Sequence, residues 1–286
     1  MKIGINLLLW TGHVTVEGQG AVLDAIAATG FDGVEVPVFD TSDTGHYRRL
    51  GQHLDRLGLQ RTVSTAFSDP AQNPVSAVPA ERDAAFDHAR GVIECAAELG
   101  GQLVVGPLFQ PLGQFTGAGP TEAEDERCAD FLQKLVPLAR VSGLVIAVEP
   151  LNRFEAYMLN TSAQAIAMMA RVDHPLVGIL HDTFHAHIEE KDPVSALDAV
   201  IASGTLAHVH LSENDRGTPG SGHARIAEAI ALLKARGYDG WMTIEAFGQA
   251  VPELAAATRV WRDFFADPID VVIGGHAYIR RCLLAD

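Results

Sequence analysis

The chain has 286 residues, of which 48% are hydrophobic and 20% are charged, and its formal net charge at pH 7 is −15. This acidic charge disfavours binding to nucleic acid or to an anionic membrane surface, because both are themselves negatively charged. The three cysteines show no CxxC spacing, which argues against a disulfide framework or a thiolate zinc site, and no apolar run approaches the ~20 residues of a spanning helix. We therefore expect a cytoplasmic protein whose partners are small molecules or other proteins.

Short apolar or β-branched runs alternate with longer helical patterns along the whole chain. This alternation is typical of repeated βα units and a parallel sheet. The eight predicted strands are, in chain order, KIGINLLL from Lys2, GVEVPV from Gly33, LQRTVSTAF from Leu59, QLVVG from Gln102, LVIAVE from Leu144, VGILHD from Val177, AHVHLS from Ala207 and WMTIEAF from Trp241.

Amphipathic stretches between these runs predict the connecting helices. AVLDAIAATG, AAFDHARGVIECAAELGG and IAEAIALLKARG each end in glycine, where a left-handed helix cap is expected. Thr161 with Gln164 predicts a capping box before SAQAIAMMARV, and Asp192 followed by Pro193 predicts another helix start. The last stretch, DPIDVVIGGHAYIRRCLLAD, predicts an extra terminal helix.

Eight βα units in roughly 250 residues predict an α/β protein that forms a closed (β/α)₈ barrel. No linker-like tract interrupts the alternation, so we expect a single domain over residues 1–286. An open doubly wound sheet is the alternative. Such a sheet would carry a glycine-rich turn after its first strand, and LLLWTGHVTVEG contains no GxGxxG motif.

The last four predicted strands end in side chains that can bind metal, and the active face of such a barrel lies at the carboxyl ends of its strands. These side chains follow one another at intervals of about one βα repeat and are Glu149, Asp182, His210 and Glu245. Three carboxylates and an imidazole that lie close together require a compensating cation. The oxygen-rich set favours Mn²⁺, Mg²⁺ or Co²⁺, with zinc also open, while four unrelated polar strand ends are the alternative.

Four segments resemble the D-tagatose 3-epimerase group, which includes D-psicose (D-allulose) and L-ribulose 3-epimerases, within the xylose isomerase-like (sugar phosphate isomerase/epimerase) barrel superfamily. The segments are VEPLNRFEAYMLNT, HDTFHAHIEE, HVHLSENDRGTPGSG and TIEAF, in the family's order and spacing over residues 144 to 247. The resemblance implies that one divalent ion, preferably Mn²⁺, is held by Glu149, Asp182, His210 and Glu245. It further implies that Glu149 and Glu245 are the catalytic acid/base pair and that the substrate contacts are Glu155, His185 and Arg216.

The implied activity is 3-epimerisation of a ketose through a cis-enediolate by a homodimer or homotetramer. The glycine-rich RGTPGSG lacks a GxxxxGK[ST] phosphate motif, which favours a free sugar over a sugar phosphate. An aldose–ketose isomerase, including the hydroxypyruvate isomerase type, and a metal-dependent dehydratase or lyase stay open. A phosphodiesterase of the AP-endonuclease type is disfavoured by the acidic charge, and a Schiff-base aldolase by the lack of a suitably placed lysine. The paired glutamates argue against a sugar-binding barrel without catalysis.

Three further residues lie near the predicted site. Trp10, after the first strand, is either an apolar wall of the sugar site or a core or interface residue. Glu35, which faces inward on the second strand, is either a site residue or a salt-bridged barrel carboxylate. His208, two residues before His210, is either a core histidine or a neighbour of the metal site.

The remaining titratable residues of HDTFHAHIEE have other expected roles. His181 points away from Asp182 on the strand, so a structural role is predicted. His187 is expected to be solvated or to lie beside the site. Glu189 and Glu190 are expected to stabilise the amino end of the following helix electrostatically.

Overall fold

Eight parallel strands close into a barrel in the computed structural model, which describes residues 1–285, and confirm the predicted (β/α)₈ architecture. Each strand pairs with its neighbours in chain order, and the last strand pairs with the first. The strands are Lys2–Asn6 (β1), Gly33–Pro37 (β2), Gln60–Ser64 (β3), Leu103–Gly106 (β4), Val145–Val148 (β5), Val177–Asp182 (β6), Leu206–Leu211 (β7) and Trp241–Ile244 (β8).

Helices connect successive strands, and further helical segments follow β8. The helices are Val16–Thr29 (α1), Thr44–Leu57 (α2), Pro79–Leu99 (α3), Glu122–Ser142 (α4), Ser162–Val172 (α5), Thr183–Glu189 (α6), Pro193–Ala202 (α7), Ile226–Ala235 (α8), Pro252–Thr258 (α9), Pro268–Asp270 (α10) and His276–Leu284 (α11). A π-helical turn, Val271–Gly275, joins α10 to α11. The C-terminal helix that the sequence predicts is therefore present, and it packs against α8. Within residues 1–285, none of the helices has the length and apolar character that a membrane crossing requires.

The predicted helix ends are confirmed where local sequence determines them. Thr161 and Gln164 form the capping box of α5, and Asp192 accepts hydrogen bonds from the first backbone amides of α7. Gly30 ends α1 with a φ of 96°, a left-handed conformation that costs glycine little because it has no Cβ.

Several strands are shorter than the apolar runs that predict them. The first run extends to Leu9, but β1 ends at Asn6, whose side-chain oxygen accepts a hydrogen bond from the amide of Leu8 and starts a 3₁₀ helix over Leu7–Leu9. All three leucines of this turn are buried, which explains their apolar character without a strand. As a result, the turn brings Leu8 to the carboxyl face of the barrel.

The barrel interior has an apolar layer near the strand starts and a polar layer near the strand ends. The apolar layer is a separate buried cluster of Leu103, Val105, Ala147, Leu180 and Trp241. Alternate residues along a strand face the same side, so the residue two positions after such a core residue also points inward. Ala147 and Leu180 are followed in this way by Glu149 and Asp182.

Candidate active site

Four predicted metal ligands converge at the carboxyl ends of β5 to β8. Each of them offers a ligand atom that lies within 4.8 Å of the others, and all four residues are buried. Nδ1 of His210 lies 3.6 Å from Glu149 Oε1, 3.9 Å from Asp182 Oδ2 and 3.4 Å from Glu245 Oε1. The four side chains therefore lie together in the structure, as the sequence predicts.

The backbone holds the two glutamates firmly although both lie one residue beyond their strands. The amide of Glu149 donates a hydrogen bond to the carbonyl of Gly106 at 3.0 Å, and the amide of Glu245 donates one to the carbonyl of Leu211 at 3.3 Å. Asp182 ends β6, and its Oδ1 caps α6 by accepting from the amide of Phe184 at 2.6 Å. The oxygen of Asp182 that faces the site is therefore Oδ2.

The site has the donor atoms and the charge that suit a divalent cation. Glu149 Oε1 and His210 Nδ1 are buried, face each other and have no hydrogen-bond partner within the described chain. Burial raises the pKa of Glu149 and of Asp182. Burial would also raise the pKa of Glu245, but His210 and Arg216 outweigh it and bring that pKa to about 2. Carboxylate oxygens with one imidazole nitrogen match the preferences of Mn²⁺, Mg²⁺ and Co²⁺, so these residues fit such an ion.

Arg216 lies closer to the metal ligands than sequence reasoning suggests. Its Nη1 donates to Asp182 Oδ2 at 3.0 Å and to Glu245 Oε2 at 2.6 Å. The guanidinium lies between two aromatic rings, 3.8 Å from the centroid of Phe184 and 4.7 Å from that of Phe247. Its buried positive charge therefore partly offsets the negative charge of the carboxylates.

His185 and Glu155 lie beside the same ligands. Nδ1 of His185 accepts a hydrogen bond from the amide of Asn152 at 3.0 Å, and Nε2 lies 3.1 Å from Arg216 Nη2. Burial, with Arg216 adding to the effect, holds the pKa of His185 well below its usual value, so this ring is neutral. Glu155 accepts from Asn152 Nδ2 at 2.7 Å, and burial raises its pKa. All three predicted substrate-contact residues thus line one cavity, while their contact with substrate stays a prediction.

A cavity of about 80 Å³ lies over the ligand cluster and opens to solvent, and three of the four candidate ligands, Glu149, His210 and Glu245, line it. Its polar wall contains Glu149, Glu155, His185, His210, Arg216 and Glu245. Its apolar wall contains Leu8, Phe39, Ala66, Leu112, Leu151, Phe247 and Leu254.

Trp10 is not among the residues from 1–285 that line this cavity. Its side chain packs against the main core instead. Leu8, from the 3₁₀ turn after β1, occupies the wall position that the sequence suggests for Trp10. The difference arises because this turn, and not a continued strand, sets the direction of the side chains.

Glu35 pairs with both histidines of β7 across the barrel interior, which favours the salt-bridged alternative for this residue. Glu35 Oε1 lies 2.8 Å from His210 Nε2, and Glu35 Oε2 lies 3.1 Å from His208 Nε2. Thr62 and Asn6 also donate hydrogen bonds to this carboxylate. Burial alone would raise the pKa of Glu35, but His210 and His208 outweigh it and hold that pKa well below its usual range. No local sequence signal joins β2 to β7, so sequence reasoning misses this pairing.

The outer histidines of HDTFHAHIEE lie apart from the four ligands. His181 is buried, and burial lowers its pKa to about 4, which agrees with a structural role. His187 is half-buried and packs edge-on against His223, with ring centroids 4.9 Å apart.

The role predicted for Glu189 and Glu190 is wrong. Glu189 ends α6 and accepts hydrogen bonds from the backbone and the guanidinium of Arg153, each at 2.8 Å. Glu190 accepts from the amide of Ser162 at 2.7 Å, in the first turn of α5. The following helix, α7, is capped by Asp192 alone. The carboxylates face the preceding loop and helix because α6 places them at its C-terminal end.

Comparison with known proteins agrees with this fold. A family model described as the xylose isomerase-like TIM barrel matches residues 23–264. A probable ketose 3-epimerase from Synechocystis sp. is 32% identical over 269 residues, which cover 92% of this chain and 90% of that protein. A ketose 3-epimerase from Arthrobacter globiformis is 30% identical over 293 residues, covering 100% and 98%. The crystal structure of D-allulose 3-epimerase from Methylomonas sp. in complex with D-allulose gives a TM-score of 0.90 at 26% identity, covering 98% and 96%.

Proposed function

Because the chain belongs to the xylose isomerase-like TIM barrel family, in its ketose 3-epimerase group, we propose that it is a divalent-metal-dependent ketose 3-epimerase that acts on a free sugar. Its relatives place it among the isomerases. The observation that carries the proposal is the pair Glu149 and Glu245. Both carboxylates line the cavity, and they lie 3.6 and 3.4 Å from the same atom of His210.

The metal site of the proposal consists of Glu149, Asp182, His210 and Glu245. When bound there, a divalent ion, which we expect to be Mn²⁺ with Mg²⁺ or Co²⁺ as alternatives, supplies positive charge that polarises a ketose carbonyl and stabilises negative charge on its oxygens. Homodimeric or homotetrameric assembly and a cytoplasmic location stay predictions.

The two glutamates exchange the proton at carbon three. One carboxylate removes this proton, which leaves a cis-enediolate, and the other carboxyl returns a proton to the opposite face and inverts the centre. The surroundings of the two groups differ. Burial raises the pKa of Glu149, whereas His210 and Arg216, acting against burial, bring that of Glu245 to about 2. A divalent ion bound to both carboxylates would favour the ionised form of each.

Arg216, His185 and Glu155 position the sugar in this proposal. The guanidinium of Arg216 donates hydrogen bonds, the neutral imidazole of His185 lies beside it, and the carboxyl of Glu155 is held by Asn152. Among the described residues that line the cavity, Arg216 is the one cation, and its Nη1 is bonded to carboxylates. This lining supports a free sugar over a sugar phosphate.

The reaction can be tested by incubating the Mn²⁺-loaded protein with a panel of ketoses in D₂O and locating the deuterium by NMR. A 3-epimerase places deuterium at carbon three and forms the epimeric ketose. An aldose–ketose isomerase would form an aldose with deuterium at carbon two, and a dehydratase or lyase would release a leaving group. Absence of exchange with every ketose would contradict the proposal.

A further inference from the structure

Glu35 contacts a metal ligand from the side that faces away from the metal site. It is fully buried on β2, and its Oε1 lies 2.8 Å from Nε2 of His210 on β7. An ionised carboxylate only accepts hydrogen bonds, so Nε2 of His210 must carry the proton of this bond. The other ring nitrogen, Nδ1, faces three carboxylate oxygens that lie 3.4 to 3.9 Å away, and an ion bound among them would take its lone pair.

The carboxylate of Glu35 is itself fixed in place. Thr62 Oγ1 donates to its Oε2 at 2.8 Å, and Asn6 Nδ2 donates to its Oε1 at 3.0 Å. Asn6 cannot turn its amide over, because its oxygen accepts from the amide of Leu8 at 2.9 Å while its nitrogen also donates to Glu245 Oε1 at 3.2 Å. The orientation of His210 is thus determined by strands on the other side of the barrel.

We propose that Glu35 is a positioning residue for the metal: it keeps the proton of His210 on Nε2, directs Nδ1 at the ion, and strengthens this ligand with its negative charge. The proposal rests on the proposed function only in requiring a divalent ion at the four ligands. A carboxylate that holds a metal-binding histidine in this way typically changes metal affinity ~10–100-fold.

The experiment also tests an alternative role for Glu35, as the ligand of a second ion. Glu35, His208 and His210 also lie close enough together to hold an ion of their own. Their space is fully buried, and Thr62 and Asn6 already bond the carboxylate. If this cluster binds an ion, the wild type takes up two ions per chain and loses one when Glu35 is changed. That result would overturn the positioning role, because Glu35 would then be a ligand.

The substitution Glu35→Gln removes the charge and preserves the shape. Its amide oxygen can face His210 and Asn6, and its NH₂ group can face the hydroxyl of Thr62 and the ring of His208, so no buried group loses its partner. Asp32→Asn is the matched control. Asp32 precedes the same strand at the opposite end of the barrel, where it accepts a hydrogen bond from the amide of Ile3 at 2.7 Å.

The experiment measures Mn²⁺ binding to the metal-stripped proteins by titration calorimetry, together with circular dichroism and epimerisation kinetics. We expect Glu35→Gln to raise the Kd for Mn²⁺ ~10–100-fold, Asp32→Asn to leave it unchanged, and saturating Mn²⁺ to restore most of the kcat of Glu35→Gln. In a diamagnetic Zn²⁺ complex of the wild type, ¹⁵N NMR should place the proton of His210 on Nε2.

The possible results distinguish a failure of the role proposed for Glu35 from a failure of the proposed function. A Kd within twofold of the wild type in Glu35→Gln, or a proton on Nδ1 of His210, would overturn the role of Glu35. If Glu35→Gln does not fold, Thr62→Val, which frees one oxygen of the carboxylate, should raise the Kd in the same direction by a smaller factor, and an unchanged Kd would again refute the role. A wild type that binds one ion but epimerises no ketose would refute the proposed function and leave the role of Glu35 intact. A wild type that binds no ion would refute both.

Discussion

At the scale of single residues, the proposed chemistry depends on two buried carboxylates with different surroundings. Glu149 has no hydrogen-bond partner at Oε1, whereas Glu245 receives hydrogen bonds from Arg216 and Asn6. Environment alone can give two carboxyl groups of one site opposite roles in proton transfer. This difference makes the pair testable by isosteric substitution.

Replacing either Glu149 or Glu245 by Gln should abolish most of the turnover while the metal stays bound. Gln keeps the shape and one oxygen ligand but cannot accept the proton, so we expect kcat to fall by ~10²–10⁴-fold and metal affinity to fall much less. The two variants should also differ in D₂O. With one starting epimer, only the variant that keeps the base on the proton's own face should exchange carbon three with retention. Near-normal epimerisation by both variants would rule out the paired-carboxylate mechanism.

Arg216→Ala should separate metal binding from substrate binding. The guanidinium lies 3.0 and 2.6 Å from two ligand oxygens, so its removal takes a positive charge away from the ion's site and should lower the Kd for Mn²⁺ several-fold. The loss of a charged hydrogen-bond donor should raise KM for the ketose by ~10–100-fold. Calorimetry and steady-state kinetics measure these changes, with Arg48→Ala, at the exposed ion pair with Glu98, as the control. Loss of the metal from Arg216→Ala would mean that Arg216 is needed to assemble the ligands.

The sequence predicts the four ligands because residue type and strand position coincide in each of them. It does not predict that Arg216 bonds Asp182 and Glu245, or that Glu35 bonds His210, since these partners lie on separate elements and meet only after the barrel closes. Local patterns determine which face a side chain takes, whereas tertiary structure determines its partner across the barrel.

At the scale of elements, the ends of the strands are harder to predict from the sequence than their middles. The alternating pattern predicts all eight strands, but it extends β1, β3 and β8 by three residues each beyond the observed ends, at Leu9, Phe67 and Phe247. Buried turns carry the same apolar residues as buried strands, so composition cannot place the boundary. The side chain of Asn6, which starts the 3₁₀ turn, supplies the missing information.

Gly106, at the end of β4, should not tolerate a side chain. Its φ is 136°, and a Cβ there would collide with the carbonyl oxygen of Thr65. Its own carbonyl accepts the hydrogen bond from the amide of Glu149. We expect Gly106→Ala to lower the free energy of unfolding by about 2–4 kcal/mol and to weaken Mn²⁺ binding through displacement of Glu149. Urea unfolding and calorimetry test this, and Gly119→Ala, in open space, should change neither quantity. Wild-type stability in Gly106→Ala would contradict the expected collision.

At the scale of the whole molecule, the candidate metal site lies at one end of a barrel whose other end has its own apolar layer. The candidate ligands end strands and do not fill the core, so we expect the barrel to fold without the ion. Closure of the sheet brings β8 beside β1 and allows Asn6 to bond Glu245. Chain length and the count of βα units predict this architecture well, since few folds bury eight such units in one domain.

Stripping the metal should abolish activity and leave a folded protein. Far-ultraviolet circular dichroism should be unchanged after dialysis against a chelator, because the core does not include the ligands. An ion that binds only the native state at ~100 times its Kd adds about 2.7 kcal/mol of stability, so the melting temperature should rise by several degrees when Mn²⁺ is restored. Full activity in verified metal-free protein would refute the site assignment.

The two walls of the cavity come from different parts of the chain. The candidate ligands and the arginine come from β5 to β8 and the loops after them, as do three residues of the apolar wall, whereas the other four, Leu8, Phe39, Ala66 and Leu112, follow β1 to β4. Exchange of these four apolar side chains would leave the candidate ligands and Arg216 in place. We therefore expect such changes to alter which sugar fits, so that a duplicated gene could acquire a new sugar while it keeps the proposed catalytic residues.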